Sequence, residues 1–375
     1  MSKVKKIKVL HLLHSVGGVD IYARQITENI NPENIENIIV SQPLTSEKSF
    51  YDAKGNLLKC YSTSIGREIN PLFDLAALIK CIYIILIEKP NLIHAHSSKG
   101  GVLARIASLF FNIKVFYTPH AFSFLSTKNY FKKKLYIFIE KTLTTRNTIL
   151  LATSNSEKNL AVNTVGFDPS KALVLNNAIS PINITELDLK PIHSNYICTI
   201  ARPSYQKNLE MLLEVFLLVS DKHKEIHLYI IGAGEYSPTL NKINQIISDH
   251  SLQDRITIFP WIHRKKALSI LKNSKIYVST SRYEGLPFSV IESMSLKVPC
   301  VLTDVDGNRD LVSDGSTGFL IKNMNVDEMS SKICELIENN EKREQLGENA
   351  YAHYIKHHLL SSFIHKLTNY YIKFS

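Results

Sequence analysis

Short apolar runs alternate with longer amphipathic segments from one end of the chain to the other. Ten of these runs have the length and the β-branched or aromatic content of strands. The alternation is typical of β-α-β units, in which buried parallel strands are joined by helices. The predicted strands are IKVLHLL, IENIIVS, NLIHAH, KVFYTP, TILLATS, YICTIAR, IHLYIIG, RITIFPW, KIYVSTS and PCVLTD.

The β-α repeats form two groups, separated by residues 176–195, a segment with prolines, polar residues and little periodicity. Such a segment indicates a linker or hinge. We therefore predict an α/β protein with two doubly wound, Rossmann-like domains, at residues 1–180 and 181–355. A C-terminal helix at residues 356–375 is expected to return to the first domain. Ligands bind open parallel sheets at the carboxyl ends of the strands, so the loops there are expected to carry the chemistry.

Composition narrows the class of protein. Hydrophobic residues make up 45% and charged residues 21% of the 375 residues, as in globular proteins. The five cysteines are scattered without C-x-x-C spacing, which favours a reducing cytoplasm over a disulfide framework. The N-terminal apolar run is short and contains two histidines, so it is interpreted as a strand and not as a signal peptide. No apolar segment reaches the roughly 20 residues of a membrane span.

The net charge of +10 is concentrated in the first half of the chain. Residues 1–186 contain 22 Lys and Arg against 13 Asp and Glu, or +9, whereas residues 187–375 contain 22 against 21, or +1. The first half is therefore expected to face an anion, for which nucleic acid, acidic lipid and a phosphorylated acceptor all remain candidates. A basic surface that only maintains solubility is the alternative.

Two strand-to-helix loops could hold a phosphate. Gly17 and Gly18 follow the first strand, where glycines let the backbone approach an anion at a helix N-terminus, although a Gly-Gly pair alone also fits an ordinary tight turn. Arg202 and Lys207 follow the strand YICTIAR and open the next helix. Two cations converging on one helix start suit a diphosphate, and solvated side chains explain them equally well.

The segment IIGAGEYS resembles part of a dinucleotide fingerprint. Gly232 and Gly234 follow a strand, but Ser237 stands at the third glycine position. An oxidoreductase is therefore disfavoured, and a glycine loop passing close to a nucleotide remains.

The segment SRYEGLPFSVIES places Glu284 in a loop and Glu292 on the helix that follows. Pro287 is predicted in the first turn of that helix, with the amides of residues 287–290 available to a phosphate. Carboxylates accept hydrogen bonds from hydroxyls, so the two glutamates are interpreted as accepting hydrogen bonds from two different parts of one ligand. A capping glutamate beside a solvent-facing one is the alternative.

Three histidines follow strands in the first half. His94 and His96 share one strand face but lack the third ligand that zinc needs, so strand-end packing or substrate contact is favoured over a metal site. His120 follows Thr118 and Pro119 directly after a strand and is expected to enter a cleft.

Residues 122–143 combine aromatic residues with Lys132, Lys133 and Lys134 on a helical period. Such a helix can lie on an anionic membrane surface. An ordinary amphipathic helix packed on its own domain explains the same pattern.

Taken together, these motifs resemble the retaining glycosyltransferases of family 4, which have the GT-B fold of two Rossmann-like domains facing across a cleft. The resemblance covers essentially the whole chain, and its most specific element is the Glu284 and Glu292 pair in TSRYEGLPFSVIESMSLKVPCVLTDVDGNRDLV. HAHSSKGGVLARIA followed by YTPHAFSF is similar to members that build capsule, O-antigen and related surface polysaccharides. The chain departs from the usual family pattern at Ala201, at Asn177 and Ala178, and at Asp310.

The resemblance implies transfer of a hexose or N-acetylhexosamine from a nucleotide diphosphate sugar to a saccharide acceptor carried on polyprenyl diphosphate. It implies a first domain that binds the acceptor and a second that binds the donor, a UDP-sugar being favoured. Catalytic roles are carried over to Glu284, His120, Arg202 and Lys207, with no metal and no cofactor. The implied substrate-binding residues are Gly17, Gly18, Glu292, Gly234, Gly285, Leu286, Pro287, Phe288, Ser289 and Trp261.

The implied location is the cytoplasm, at the inner face of the cytoplasmic membrane, with a peripheral contact to anionic lipid. Two rival functions remain. A nucleotide-sugar epimerase of the same fold would need an acid and base pair that the sequence does not show. A nucleic-acid-binding protein would need a groove-reading or base-stacking motif, and none accompanies the basic residues, so no nucleic-acid partner is expected.

Overall fold

The computed structural model describes residues 6–44, 49–66, 70–145, 147–187, 193–234 and 237–375. The start of the chain, for which a signal peptide was judged unlikely, and residues 188–192 of the expected linker lie outside the described residues. The chain divides into two compact units. The first comprises residues 1–177 and 360–375, and the second comprises residues 178–359. The C-terminal segment thus belongs to the first unit, from residue 360 and not from residue 356.

The first unit is built on a parallel sheet of seven strands in the order β3-β2-β1-β4-β5-β6-β7. Its strands are β1 Ile7–Leu12, β2 Ile35–Ser41, β3 Lys59–Ser62, β4 Leu92–His96, β5 Lys114–Thr118, β6 Thr148–Ala152 and β7 Ala172–Val174. Its helices are α1 Gly18–Thr27, α2 Pro71–Glu88, α3 Ser97–Ser108, α4 Tyr130–Thr142, α5 Asn155–Leu160 and α13 Leu360–Phe374.

The second unit has a parallel sheet of six strands in the order β10-β9-β8-β11-β12-β13. Its strands are β8 Tyr196–Ile200, β9 His227–Ile231, β10 Ile256–Phe259, β11 Tyr277–Ser279, β12 Cys300–Thr303 and β13 Gly318–Ile321. Its helices are α6 Leu209–Lys222, α7 Leu240–Asp249, α8 Arg264–Lys272, α9 Phe288–Ser295, α10 Asn308–Leu311, α11 Val326–Glu338 and α12 Asn340–His357.

All ten predicted strands are present, and three strands were missed. The missed strands β3, β7 and β13 have three or four residues each, and β3 and β7 lie at the two edges of the first sheet. Central strands such as β4 are buried at every position, because helices cover both faces of the sheet. Short edge strands bury less, so their sequences carry little periodic signal.

The predicted helix over residues 122–143 is wrong at its start. Residues Ser123–Leu125 form a short 3-10 turn, and α4 begins only at Tyr130. The Asn129 side chain accepts a hydrogen bond from the Lys132 amide and caps the helix there. The basic segment is therefore a helix of 13 residues with a defined N-terminus.

A buried ion pair joins α3 and α4. The Arg105 guanidinium donates to Glu140 at 2.8 Å, and both side chains are almost fully buried. The Tyr117 hydroxyl donates to the other carboxylate oxygen at 2.9 Å, and the guanidinium carbon lies 4.2 Å from the centre of the Tyr117 ring. Gly101 leaves room for this ring, since a Cβ there would lie 2.3 Å from it. The pair therefore holds α4 on the unit by charge and hydrogen bonds.

Removing one partner of this pair is expected to be costly. Arg105→Ala should lower the free energy of unfolding by about 3–5 kcal/mol, because Glu140 would stay buried without its cation. Urea titration followed by circular dichroism measures this, with Lys54→Ala in the exposed Lys54 and Glu33 pair as the control. A loss no larger than that of the control would contradict the assignment.

Candidate active site

The second unit changes strand order between β8 and β11, which are neighbours in the sheet although two strands separate them in the chain. The loops after these strands therefore leave the same edge of the sheet side by side. Arg202 and Lys207 lie in the loop after β8, and Glu284 lies in the loop after β11. Three of the predicted site residues are thus carried by one pair of adjacent loops.

Lys207 and Glu284 form an ion pair across these two loops. The Lys207 Nζ lies 2.5 Å from Glu284 Oε1, and the same oxygen accepts from the Ser281 hydroxyl at 2.7 Å. Gln206 Nε2 donates to the second carboxylate oxygen at 3.2 Å. The Glu284 side chain is only 7% exposed and the Lys207 side chain 22%. Three donors therefore fix the direction of a nearly buried carboxylate.

Backbone contacts hold the two loops together. The Arg282 amide donates to the Gln206 carbonyl at 2.8 Å, and the Thr280 hydroxyl donates to the Asn208 carbonyl at 2.9 Å. Asn208 adopts a left-handed backbone conformation at the start of α6. The position of Lys207 relative to Glu284 is therefore set by the main chain as well as by the side chains.

Gly307 supports the Glu284 loop from the next loop of the sheet. It has a φ of 82°, and a Cβ there would lie 2.5 Å from the Gly285 carbonyl oxygen and 3.1 Å from Glu284 Cβ. Both the backbone conformation and the close approach require glycine. Any side chain at Gly307 would collide with the Gly285 carbonyl and with Cβ of Glu284.

The helix after this loop begins one residue later than expected. Pro287 is the N-cap of α9, with an extended conformation, and Phe288 is the first helical residue. Its prediction in the first turn is therefore wrong, and proline has no amide hydrogen to offer a phosphate. Leu286 and Phe288 are buried. The Ser289 hydroxyl accepts a hydrogen bond from the Tyr277 hydroxyl at 2.8 Å.

Glu292 has a basic partner of its own, which the sequence did not reveal. Arg264, the first residue of α8, donates to Glu292 Oε1 from Nε at 3.0 Å and from its terminal nitrogen at 2.7 Å. Burial raises the pKa of Glu292 above its usual range, and the Arg264 guanidinium opposes that change. The two glutamates therefore occupy separate ion pairs on the loop and on the helix.

The remaining predicted residues of this unit lie around the β9 loop. A Cβ at Gly234 would lie 3.7 Å from Trp261 Cβ, and the Trp261 side chain is 74% exposed. Gly232 has a φ of 106° and approaches the Arg202 backbone, with 3.9 Å between a Cβ there and the Arg202 nitrogen. Arg202 itself is half-buried. The glycine loop thus passes beside the start of the Arg202 to Lys207 segment.

The first unit changes strand order between β1 and β4. His11 of β1 is the register partner of His94 on β4, so the two rings lie on the same face. His96 lies two residues further along that face, and the rings of His94 and His96 are 4.1 Å apart. All three side chains are fully buried. Of the two interpretations favoured for His94 and His96, strand-end packing and substrate contact, strand-end packing fits this buried environment.

Hydrogen bonds determine which ring nitrogens carry protons. His11 Nε2 lies 3.0 Å from the side-chain oxygen of Asn37, and His11 Nδ1 lies 3.1 Å from His96 Nε2. Because an amide oxygen can only accept, His11 donates to Asn37 and accepts from His96. His94 bonds to the Tyr371 hydroxyl at 2.6 Å and to the Thr118 hydroxyl at 3.0 Å. The cluster is thus tied to the C-terminal helix α13.

The absence of a third ligand was the reason for doubting a metal at His94 and His96, and that premise is wrong. Among the described residues, His11, His94 and His96 have ligand atoms within 4.8 Å of one another. Both ring nitrogens of His11 and of His94 already have protein partners. Polar groups of the protein therefore satisfy the rings of His11 and His94 without an ion, whereas the buried Nδ1 of His96 has no hydrogen-bond partner. Metal independence stays a prediction.

His120 stands on a strained turn. His120 and Ala121 have φ values of 53° and 76°, in the left-handed region that residues with a Cβ rarely adopt. The buried Glu157 carboxylate accepts from the Ala121 amide at 2.7 Å and from the Thr153 amide at 2.7 Å. Glu157 thereby stabilises the turn, a role that nothing in the local sequence indicated.

The His120 ring packs against α1. Its centroid lies 4.7 Å from that of Tyr22 in an edge-to-face arrangement, and 5.7 Å from that of His96. Burial lowers the pKa of His120 to about 3. The helix α1 begins at Gly18 and has Gly17 as its N-cap, with a φ of 60° and open space around its Cα. His120 and the glycine turn therefore belong to one edge of this sheet.

Two family models match the chain in succession. The model described as Glycosyltransferase Family 4 matches residues 16–181, and the model described as Glycosyl transferases group 1 matches residues 188–353. Together they cover the segments that carry Gly18, His120, Lys207 and Glu284, while β1 and α13 lie outside the matched residues. The chain belongs to glycosyltransferase family 4. This match favours a transferase over the epimerase and nucleic-acid alternatives.

Relatives of this glycosyltransferase have similar lengths. The chain is 28% identical over 349 residues to the UDP-Gal:alpha-D-GlcNAc-diphosphoundecaprenol alpha-1,3-galactosyltransferase of Escherichia coli, with 88% of each chain covered. It is 24% identical over 365 residues to the capsular polysaccharide biosynthesis glycosyltransferase CapM of Staphylococcus aureus, with 92% of each chain covered.

Solved structures share the fold. Sucrose-phosphate synthase from Thermosynechococcus elongatus superposes with a TM-score of 0.82 at 15% identity, with 98% of this chain and 99% of that chain covered. HepE from Anabaena in complex with UDP and glucose gives 0.81 at 16% identity, with 97% and 98% covered. The predicted GT-B fold of this glycosyltransferase is confirmed.

Gly307→Ala should loosen the Glu284 loop. The added methyl group would contact the Gly285 carbonyl, so residues 281–286 should exchange amide hydrogens faster in deuterium exchange. Gly315→Ala is the matched control, because Gly315 has a φ of 70° but open space around it. Both variants should lose about 1–2 kcal/mol of stability to backbone strain. Equal exchange of residues 281–286 in the two variants would argue against this support.

Acid should destabilise the first unit through its buried histidines. Burial lowers the pKa of His11 to about 4, against an opposing hydrogen bond from Asn37, and that of His120 to about 3. The folded state then binds fewer protons than the unfolded state, so stability is lost as the pH falls from about 6.5 toward 4. For His11 this corresponds to on the order of 3 kcal/mol.

Urea midpoints measured across this pH range test the expectation. His11→Gln can keep hydrogen bonds to its neighbours but does not titrate, so its midpoint should depend less steeply on pH than that of the natural chain. Identical slopes for the two proteins would show that His11 is not the titrating group.

Proposed function

We propose that this glycosyltransferase moves a hexose or an N-acetylhexosamine from a nucleotide diphosphate sugar to a saccharide carried on polyprenyl diphosphate, in the assembly of a capsule, O-antigen or lipopolysaccharide. The anomeric configuration is retained and no metal ion takes part. The observation that carries the proposal is the Lys207 and Glu284 ion pair at the strand-order reversal of the second unit. It joins a cation suited to a diphosphate with a carboxylate suited to a sugar hydroxyl.

Related proteins support the choice of donor and acceptor. The Anabaena protein has been solved with UDP, with UDP and glucose, and with UDP-glucose. The Escherichia coli relative is named for UDP-Gal and for a diphosphoundecaprenol-linked GlcNAc. A UDP-sugar is therefore the favoured donor, and a lipid diphosphate the favoured carrier of the acceptor.

In the proposed reaction the bond from the anomeric carbon to the diphosphate breaks as the bond to the acceptor oxygen forms on the same face of the sugar. The acceptor proton passes to the departing diphosphate oxygen. Arg202 and Lys207 stabilise the charge that develops on the diphosphate, with the Ser289 end of α9 as a further donor. Each such contact contributes about 3 kcal/mol to lowering the barrier.

Glu284 is proposed to bind a hydroxyl of the donor sugar and not to attack it. Its carboxylate oxygens already accept from Lys207, Ser281 and Gln206, which reduces their nucleophilicity. A covalent intermediate of the kind formed by paired carboxylates in retaining glycosidases is therefore not invoked. Glu292 is proposed to accept hydrogen bonds from the ribose hydroxyls, with Arg264 holding its carboxylate.

The backbone between these two glutamates is shaped by Gly285, Leu286, Pro287 and Phe288. The nucleotide is proposed to contact Gly234 and Trp261. His120 is proposed to position the donor sugar or the acceptor. With a pKa of about 3 its ring is neutral near pH 7, so it can both donate and accept a hydrogen bond. Gly17 completes the turn that presents the Gly18 amide.

The acceptor suggests where the enzyme works. A polyprenyl diphosphate saccharide is anionic and lies among anionic lipids, which fits the +9 charge of residues 1–186. No helix among the described residues is long and apolar enough to cross a membrane. We therefore propose a peripheral contact at the inner face of the cytoplasmic membrane, made by α4, whose Lys132, Lys133 and Lys134 are exposed.

Three substitutions separate the proposed roles. Glu292→Ala should weaken donor binding by about 10- to 100-fold, because hydrogen bonds to a charged group are lost. Glu284→Ala should mainly lower turnover, by about 10²- to 10³-fold, and Lys207→Ala should do both. Calorimetry with a panel of nucleotide sugars measures binding, and release of nucleoside diphosphate with a polyprenyl diphosphate saccharide measures turnover.

Glu348→Ala is the matched control, since Glu348 forms an ion pair with Lys297 on the exposed surface of the same unit. Full activity in folded variants of all three site residues would refute the site assignment. Proton spectra of the product report retention or inversion. Loss of activity in a chelator, restored by a divalent ion, would refute metal independence.

A further inference from the structure

The exposed side of α2 is apolar along its whole length. Seven large hydrophobic side chains of this one helix are between 47% and 81% exposed. They recur at three- and four-residue intervals and so form a stripe on one side of the helix. These residues, called the α2 stripe below, are Leu72, Phe73, Leu75, Ile79, Tyr83, Leu86 and Ile87.

The opposite side of α2 already provides the contacts that hold the helix on the unit. Ala77, Cys81, Ile84 and Ile85 are buried in the core that also contains Leu103 of α3. A surface helix of a globular protein usually carries polar residues on its outer side. The α2 stripe is therefore not needed to fold the unit, and an exposed apolar surface of this extent indicates a binding partner.

Further exposed apolar residues lie on the same face of the sheet as α2. The helices α2, α3 and α4 connect β3, β4, β5 and β6 in one direction across the sheet, so right-handed crossovers place them on the same face. Ion pairs join Asp74 to Lys99 and Arg105 to Glu140 between successive helices. Of the 21 exposed large hydrophobic residues in the described chain, 13 lie on α2, on α4 or directly after α3. The six beyond α2 are Leu109, Phe110, Tyr130, Phe131, Leu135 and Phe138.

The charge of this part of the chain identifies the kind of partner. Residues 71–143 contain ten Lys and Arg against three Asp and Glu, or +7 of the +9 in the first half of the chain. The three acidic side chains, Asp74, Glu88 and Glu140, each pair with a basic residue. Exposed lysines therefore dominate the field around the stripe. Two copies of such a surface would repel each other, whereas an anionic bilayer attracts it and also accepts apolar side chains.

We infer that the α2 stripe inserts into the interface of an anionic bilayer, with the α4 lysines binding lipid headgroups beside it. A helix of 18 residues is about 27 Å long and would lie parallel to the surface, with its stripe in the upper acyl region. Lys80 of this helix and Lys89 directly after it are exposed and can extend to the headgroups. The inference rests on the membrane contact proposed above for α4 and adds α2 to it. It can be tested without measuring sugar transfer.

Vesicle flotation of the full chain tests the surface. The natural protein should float with phosphatidylcholine vesicles that contain about one third phosphatidylglycerol, and much less with phosphatidylcholine alone. Leu75→Glu with Ile79→Glu should weaken partitioning at least about tenfold, because charges replace inserted apolar groups. Lys132→Gln with Lys133→Gln should weaken it roughly fivefold for each lysine, and only on the anionic vesicles.

Ile372→Glu is the matched control, since Ile372 of α13 is 52% exposed and Ile79 is 60% exposed. It should float like the natural protein. Flotation of the Leu75 and Ile79 variant at the natural level would overturn the inference. A second result would also overturn it: the natural protein does not bind vesicles and is a dimer by light scattering, and the Leu75 and Ile79 variant is a monomer.

A milder variant covers the case in which the double substitution impairs folding. In a Cys60→Ser background, Ile79→Cys carrying an environment-sensitive dye should shift its emission to shorter wavelength on anionic vesicles. Ile372→Cys with the same dye should not. An unshifted spectrum at residue 79 with vesicle-bound protein would show that another surface makes the contact. If the protein binds anionic vesicles but binds no nucleotide sugar, the proposed reaction is refuted and the inferred membrane-binding surface is still supported.

Discussion

The reversal of strand order in each sheet is the constraint on which the rest of the molecule depends. Parallel strands that are adjacent in space but distant in the chain bring two unrelated loops to one edge. In the second unit this constraint places Lys207 2.5 Å from Glu284 although 77 residues separate them. In the first unit it pairs His11 with His94, 83 residues apart, in the register of two neighbouring strands. Loop chemistry is therefore a direct consequence of topology.

The carboxyl ends of the strands carry different polar groups in the two sheets. In the second unit the acidic groups face basic ones, Lys207 with Glu284 and Arg264 with Glu292, and the cations retain partial exposure. In the first unit the histidines are buried and neutral, because desolvation outweighs every favourable contact and lowers their pKa values. The carboxyl ends of the second sheet are suited to anionic ligands, whereas those of the first sheet form a packed cluster of rings that includes His120.

The fold was predictable because its central strands are buried on both faces and therefore appear as apolar runs. The strands β3, β7 and β13 were not, since edge position and short length remove that signal. Glu284 and Lys207 could be selected from their loops, but Ser281, Gln206 and Gly307 act through contacts that only the folded chain creates. His11 was missed as the third histidine because strand register, not spacing, brings it to His94. The exposed stripe of α2 could not be identified from the sequence either, because an apolar helix has the same composition whether its outer side is covered or not.

The return of the chain to the first unit has a consequence for biosynthesis. The helix α13 contains Tyr371, whose hydroxyl bonds to His94 at 2.6 Å, and Phe363, whose ring packs on Tyr22. These residues are synthesised after the whole of the second unit, whereas the strand and the helix that they contact are synthesised before it. The first unit therefore lacks these contacts until residues 360–375 have been made, whereas the second unit is translated without interruption and can fold earlier. Loss of residues 360–375 would therefore leave the later-made unit whole and the earlier-made unit incomplete.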